Sequence, residues 1–403
     1  LHCYLVYCFD LILCRHYLMA FIAQEGRRAF MIRVGIAGIG YIAEEYIKLF
    51  SQGKIKNAEL HALSSRNYAH MEEIKNTYHL TDATLFSDYN AMLASSGIDM
   101  VIVCTPHFCH PDMAIRSIER GIHTLIEKPV GVFPEELETL RLCCARHPDI
   151  RSGVLYCRRG NKAFIKLKEL TDSGFIGEMK RVTWIVTDMY RPKAYFDAYP
   201  WKGTFREEGG GLLMTQVSHQ IDLLVWLCGL PSALQAFCSI GRERDIKVEN
   251  EATVVMEYPR GATGQFVASS RECPGSNRLE IIGSHGQAVL ENYSILTLRS
   301  LQQDEKDYSL QSSEPYGRIP YTEQLFTFKN EENSILQAGI INNFISAITK
   351  NEPVLCPVQQ ALDTQIFIQT AYLSAWKQKM TTLPPDTTIF TRELLKRMKN
   401  RNC

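Results

Sequence analysis

No basic run stands out in this 403-residue chain, and neither sign of charge prevails, since 44 lysines and arginines face 44 aspartates and glutamates. That balance leaves no electrostatic footprint for nucleic acid or an anionic lipid surface, so the expected partner is a small molecule, with no nucleic acid and no membrane. Close cysteine pairs with zinc-site spacing are missing too. The 13 cysteines are scattered, Cys143 and Cys144 being the nearest approach to a pair, so no metal is expected and the thiols read as those of a cytoplasmic protein. Internal repeats and low-complexity segments are absent, and 45% hydrophobic with 22% charged residues excludes a disordered chain. At about 100–200 residues per domain the length suggests two domains, each able to bury a core without disulfides. A clean apolar span is also lacking. Residues 1–23 are rich in apolar side chains but are broken by Asp10, Arg15 and His16, and they start without the basic charge of a signal peptide. Residues 1–30 are therefore expected to be an upstream extension or arm outside the fold, with Met31 opening the first folded element.

What is present from Met31 onward alternates. An apolar run Ile32–Ala37 leads through a glycine-rich turn into a helical stretch to about Gln52 and a second strand near Glu59–Ser64. Ser87–Ala94 reads as a capped short helix, and Asp99–Thr105 and His123–Ile126 as further strands. Strands separated by helices predict an α/β fold, a doubly wound parallel Rossmann sheet over residues 31–150. Past residue 150 the rhythm changes. A strand at Val154–Tyr156 and a helix near Lys162–Ser173 lead into β-type runs at Lys180–Asp188, Leu234–Ser239, Ala252–Tyr258, Gln265–Ser269, Leu279–Ile282 and Ala288–Leu290, joined by short turns. One long helix, about Gly211–Cys228, interrupts them, and helices near 335–350 and 357–379 follow. Residues 151–380 thus predict an α+β domain with a largely antiparallel open sheet, serving substrate binding and oligomerisation, and residues 381–403 a C-terminal tail. An apolar run such as Ala252–Met256 on the open face would leave a large patch, so a homodimer or homotetramer is expected.

Four motifs carry chemistry. Gly38-Ile39-Gly40-Tyr41-Ile42-Ala43 places G-x-G-x-x-A between a strand and a helix. Gly38 and Gly40 permit a tight turn that brings the backbone, through Tyr41 and Ile42, against a dinucleotide pyrophosphate at the helix N-terminus, while Ala43 lets helix pack on sheet. A structural glycine turn is the plainer alternative. At the end of the second strand, where an NAD enzyme sets a carboxylate for the ribose 2′-hydroxyl, the chain reads Ser64-Ser65-Arg66-Asn67. Ser65 and Arg66 without an acid tolerate a 2′-phosphate better, which favours NADP over NAD, although Arg66 could equally stack on adenine or start a helix in solvent. Glu127-Lys128-Pro129 follows the strand His123–Ile126, so Lys128 is expected beyond the carboxyl end of a parallel strand, where it can donate to a developing alkoxide; a surface turn is the alternative. After Gly209-Gly210-Gly211, the residues Thr215, His219 and Asp222 recur at i, i+4 and i+7 on one helical face. A His there can serve as general acid and base, though a lone helical His is more often structural.

Together with Thr105-Pro106-x-x-x-His110 and Gly174-x-x-Gly177, these motifs make the chain over about residues 31–380 resemble the Gfo/Idh/MocA oxidoreductases, the glucose-fructose oxidoreductase and inositol dehydrogenase type. The resemblance implies hydride transfer between nicotinamide C4 of NAD or NADP and a sugar, polyol or similar ring alcohol. It makes Lys128 and His219 catalytic, and adds Thr105, Pro106, His110, Glu127 and Lys128 to the cofactor site. It also places Arg159, Asn161, Lys202, Thr215 and Asp222 toward the substrate, with Arg158 competing for the role of Arg159. Two departures stand out. Thr215 occupies a position where the family often has Asp, removing one proton relay, and Lys202 in Trp201-Lys202-Gly203-Thr204 replaces the usual Arg, exchanging a bidentate fork for a point charge. Asp222 either orients His219 or caps the apolar end of the helix. Two rival functions share the same motifs: an NAD-dependent glycosidase, and a non-catalytic cofactor or sugar sensor.

Overall fold

The computed structural model describes residues 31–399 except Ser96 and Pro200, so the expected extension over residues 1–30 lies outside the described residues. Strands β1 (Ile32–Ala37), β2 (Ala58–Ser64), β3 (Thr84–Phe86), β4 (Met100–Val103), β5 (His123–Ile126) and β6 (Ser152–Val154) pair in parallel in the order β3-β2-β1-β4-β5-β6. Helices α1 (Tyr41–Ser51), α2 (Tyr68–Thr77), α3 (Tyr89–Ala94), α4 (His110–Ile118) and α5 (Pro134–Arg146) connect them. β4 is apolar throughout because both faces of the sheet are covered: Met100 and Ile102 enter one core, Val101 and Val103 the other. Strand order reverses between β1 and β4, which opens a crevice at their carboxyl ends.

The second sheet is built from β7 (Met179–Val186), β8 (Ala233–Ile240), β9 (Glu249–Glu257), β10 (Thr263–Ser269), β11 (Asn277–Gly283), β12 (Gly286–Glu291), β13 (Ile295–Leu301), β14 (Tyr321–Thr327) and β15 (Thr381–Thr382). Its order is β14-β13-β12-β11-β7-β10-β9-β8-β15, antiparallel except for the β7/β10 pair. Four helices, α6 (Lys162–Asp172), α7 (Ser218–Cys228), α9 (Val358–Lys377) and α10 (Thr387–Lys399), contribute to the core on its covered face, whereas α8 (Asn333–Thr349) does not.

Several expectations need correcting. Ala252, Val254 and Met256 point into this core and are fully buried, because a strand with period two sends alternate residues to opposite faces; Thr253 and Val255 of that run lie on the other face, with Val255 exposed. The open face carries Phe237, Val255 and Leu325 near its ends, and between them a ladder of ion pairs that includes Arg181–Glu280, Arg278–Glu291 and Arg299–Glu323. The division at residue 150 is also too simple. β6 completes the first sheet, and α8 packs Leu336, Ile340, Ile341, Phe344 and Ile345 against Ile32, Ala43, Tyr46 and Ile47. Residues 387–399, expected as a tail, form a helix whose Phe390 and Leu394 are fully buried in the second core. The stretch 211–228 is not one helix, since Leu212–Gln216 form a single π turn, Val217 breaks the path and α7 starts at Ser218.

Candidate active site

The first wall of the crevice is the β1–α1 turn. Gly38 has φ +87°, and a Cβ on it would meet the Cys104 carbonyl oxygen at 2.7 Å, so glycine is what lets this turn lie against the end of β4. Gly40 caps α1 without a side chain, and a Cβ there would meet nothing within 4 Å, so the first amides of the helix look into open space. Tyr41 stands exposed beside it and Ile42 is half-buried. An uncapped helix start with clear space before it suits a pyrophosphate, and these residues fit a dinucleotide. At the end of β2, Ser65 Oγ accepts from the Asn67 amide (3.2 Å) and Asn67 Oδ1 from the His70 amide (3.1 Å), which caps α2. Arg66 is left exposed and has no acidic partner among the described residues.

The turns after β4 and β5 form the floor, and two expected cofactor contacts prove to be internal ties. His110 is fully buried, with ring nitrogens 2.7 Å from the Pro129 carbonyl oxygen and 2.6 Å from that of Thr105, so it clamps the two turns together rather than facing a ligand. Burial holds its pKa below the usual histidine range. Glu127 is buried as well, receiving the Tyr46 hydroxyl and the Lys128 amide (2.9 Å), and burial raises its pKa. Its carboxyl fixes the turn from which Lys128 projects. Thr105 donates its hydroxyl to Met113 Sδ (3.3 Å), while Pro106 lies exposed at the rim.

Lys128 Nζ donates to the main-chain carbonyl of Thr215 at 2.9 Å, joining the β5 turn to the π turn. The Thr215 hydroxyl is engaged with the Gly211 carbonyl (2.8 Å), so what Thr215 offers Lys128 is backbone. One turn further on, His219 is half-buried, its Nδ1 is enclosed without a hydrogen-bond partner, and its ring meets Tyr156 edge-on at 5.6 Å. Burial first, then the charges of Lys128 and Arg158, hold its pKa well below the histidine range, so the ring is neutral. A cationic donor beside a neutral imidazole can stabilise an oxygen anion and accept a proton.

The expected substrate contacts divide differently. Arg159 and Asp222 are turned to each other, with Nε and Nη2 each 2.8 Å from a carboxylate oxygen and both side chains out of solvent. Arg159 also holds the Leu355 carbonyl and Gln360, and Asp222 the Thr364 hydroxyl (3.1 Å), so the pair locks α7 onto α9 instead of lining the pocket or orienting His219. Asn161 is buried and caps α6, accepting from the amides of Ala163 (3.0 Å) and Phe164 (3.4 Å). Lys202 lies among aromatic rings, 3.6 Å from the centre of Tyr195 and 4.2 Å from that of Tyr199. The arginine left near the cleft is Arg158, stacked 4.7 Å over Tyr293, whose hydroxyl accepts from Gln220 (2.8 Å), the residue after His219.

Three groups escaped the motif reading. Glu249, at the start of β9, accepts from the Gly211 amide (3.2 Å), the Leu213 amide (2.8 Å) and the Tyr372 hydroxyl (2.8 Å), and thereby shapes the π turn. Gly210 and Gly211 allow this approach, since a Cβ would fall 2.2 Å from the Tyr372 hydroxyl or 2.4 Å from the Glu249 carbonyl. Glu208 accepts from the Gly203 amide (2.6 Å), and burial pushes both carboxyls up to about 7. His107 reaches the Glu208 carbonyl (2.9 Å) across the cleft, and burial pushes it down to about 3. His107, next to Thr105-Pro106, and Glu208, just before Gly209-Gly210-Gly211, stood near a signal in the sequence, whereas Glu249 did not.

Residues 32–153 match the family described as an oxidoreductase family with an NAD-binding Rossmann fold, and residues 164–289 match the GFO/IDH/MocA C-terminal domain. An uncharacterized oxidoreductase of Synechocystis sp. is 28% identical over 244 residues, 57% of this chain and 64% of that protein, so the chain covers less than two thirds of it. Inositol 2-dehydrogenase of Rhizobium meliloti is 24% identical over 330 residues, 80% of this chain and 90% of that protein. Among solved structures, the WlbA dehydrogenase of Bordetella pertussis, in complex with NADH and UDP-GlcNAcA, shares the fold at TM-score 0.70 and 24% identity, over 88% of this chain and 100% of that one.

Proposed function

This chain belongs to the GFO/IDH/MocA family of oxidoreductases, with an NAD-binding Rossmann fold as its N-terminal domain, and from that premise we propose that it is a dehydrogenase oxidising a CH–OH group of a sugar, polyol or similar ring alcohol. The observation that carries the reading is Lys128, held at 2.9 Å on the Thr215 carbonyl, one helical turn before His219, whose ring burial and the neighbouring cations keep neutral. The amides of α1 beyond Gly38 and Gly40 would hold the dinucleotide, whose nicotinamide C4 supplies the hydride acceptor when bound. Lys128 donates a hydrogen bond to the substrate oxygen, strengthening as charge develops there. His219 takes the hydroxyl proton, a role open to it because burial and two neighbouring cations keep it unprotonated. Arg66, exposed and unpaired where an NAD enzyme sets a carboxylate, supports a preference for NADP. The apolar ends of the open sheet face, at Phe237, Val255 and Leu325, support a homodimer or homotetramer. Fluorescence titration with NADH and NADPH, followed by a panel of polyols, sugars and dihydrodiols read at the nicotinamide absorbance, tests the reading. Turnover on a ring alcohol supports it, and tight cofactor binding with no turnover on any overturns it.

A further inference from the structure

Behind His219, polar atoms from three elements are enclosed and unpaired. His219 Nδ1 is one, and the Tyr156 hydroxyl, whose ring meets the imidazole edge-on at 5.6 Å, is another. Gln365, on α9, adds both Oε1 and Nε2; its side chain has no exposed surface and lies beside the Tyr156 hydroxyl. Tyr156 therefore links the imidazole to the Gln365 amide. The polar residues flanking Gln365 along the same helix all have partners. Gln360 is taken by Arg159, the Thr364 hydroxyl by Asp222, and Gln369 Nε2 donates to the Val132 carbonyl at 3.1 Å. Packing alone would favour an apolar residue at position 365, because a buried amide without hydrogen bonds is destabilising. Nor is the imidazole held from its own segment: the Thr215 hydroxyl is engaged with the Gly211 carbonyl, and Asp222 with Arg159.

Resting on the dehydrogenase reading above, we infer that Gln365 is a positioning residue for His219, acting through the Tyr156 hydroxyl and an enclosed water to keep the imidazole proton on Nδ1. One water accommodates all four atoms. It accepts from His219 Nδ1–H and from the Tyr156 hydroxyl and donates to Gln365 Oε1, while Gln365 Nε2 donates to the Tyr156 oxygen. With its proton on Nδ1, the neutral ring carries its lone pair on Nε2, the nitrogen that takes the hydroxyl proton of the substrate as hydride departs. Uptake of that proton gives an imidazolium whose Nδ1–H rests on the same water, so the ring is held alike before and after transfer. The support comes from α9, where the Thr215 side chain gives none.

The test reads the tautomer of His219 by long-range proton–nitrogen NMR of the intact protein with isotope-labelled histidine, assigned with His219→Ala. Alongside it, kcat and KM are measured on a ring alcohol that the wild type turns over. The expected result is Nδ1–H in wild type and a shift toward Nε2–H in Gln365→Leu. In that variant kcat falls about three- to tenfold, the range of one hydrogen bond, with KM within about twofold. Tyr156→Phe, which keeps the ring edge and loses the hydroxyl, gives the same shift. Gln365→Glu, which offers a donor and an acceptor when burial keeps it protonated, restores Nδ1–H and most of kcat. An Nε2–H tautomer in wild type, or an unchanged tautomer in Gln365→Leu, overturns the inference, as does a kcat loss that Gln365→Glu does not recover. If Gln365→Leu does not fold, the wild-type tautomer and Tyr156→Phe decide. Failure of the dehydrogenase reading looks different: no ring alcohol is turned over, while Nδ1–H in wild type and its loss in the variants still uphold the positioning role.

Discussion

Replacing Asp222 by Ala isolates the buried bridge and separates a structural role from a substrate contact. The Arg159 and Asp222 side chains are 1% and 0% exposed, joined by two 2.8 Å bonds, with the Thr364 hydroxyl as a third donor to Asp222. Solvent cannot screen the guanidinium once its partner is gone, so the loss is that of an uncompensated buried charge, about 3–5 kcal/mol. At roughly 2–4 °C per kcal/mol for a domain of this size, Asp222→Ala should lower the melting temperature by roughly 6–20 °C. Thermal unfolding followed by circular dichroism, alongside KM and cofactor Kd, gives the readout. KM should stay within about twofold, and Arg159→Met with Asp222→Leu should recover part of the stability, because an apolar pair of similar volume replaces the charges. A KM raised more than tenfold with an unchanged melting temperature would refute the reasoning and return Asp222 to the substrate pocket.

Other outcomes follow from the same geometry. Gly38→Ala sets a Cβ 2.7 Å from the Cys104 carbonyl at a φ of +87°, so cofactor affinity measured by NADH or NADPH fluorescence should fall at least tenfold, and unchanged affinity would remove Gly38 from the cradle. Arg66→Ala should weaken NADPH binding about tenfold and leave NADH nearly untouched, whereas equal loss of both would assign Arg66 to the adenine instead. Glu208 and Glu249, pushed by burial to about 7 from an ordinary 4.5, stay protonated in the folded chain where the unfolded chain has released its protons. Their contribution to stability is therefore complete below about pH 4.5 and is lost as pH rises through about 7. Urea midpoints across that range should fall less steeply for Glu249→Gln than for wild type, and identical slopes would contradict the raised carboxyl.

Much of the fold was legible because its signals are local. The apolar run of β4, the turn glycines and the strand before Glu127 each declare themselves within a dozen residues, and all sit as expected in the parallel sheet. What was not legible depends on pairings across long distances. An apolar helix such as α8 does not encode which sheet it will pack on, so its docking against β1 and α1 could not be read from its pattern. Glu249 lies 38 positions after Gly211, and only the fold brings its carboxyl under the glycines, breaking the expected helix into a π turn. Arg158 and Arg159 are neighbours of the same chemistry, and nothing in the sequence says which one turns inward. The short turn Cys157–Gly160 decides it, sending Arg159 to Asp222 and leaving Arg158 on Tyr293. Asn161 poses a related ambiguity, since a helix cap and a ligand contact call for the same side-chain amide, and in the fold it caps α6.

The most direct test of the account measures formation of reduced nicotinamide by wild type, Lys128→Met and His219→Ala on a panel of ring alcohols with both cofactors, with cofactor affinity determined for each protein. The account predicts turnover by wild type, a kcat lower by about 10²–10³ in Lys128→Met with a comparable loss in His219→Ala, and cofactor binding retained in both. Full turnover in either variant, or tight cofactor binding by wild type without turnover on any compound, would contradict it.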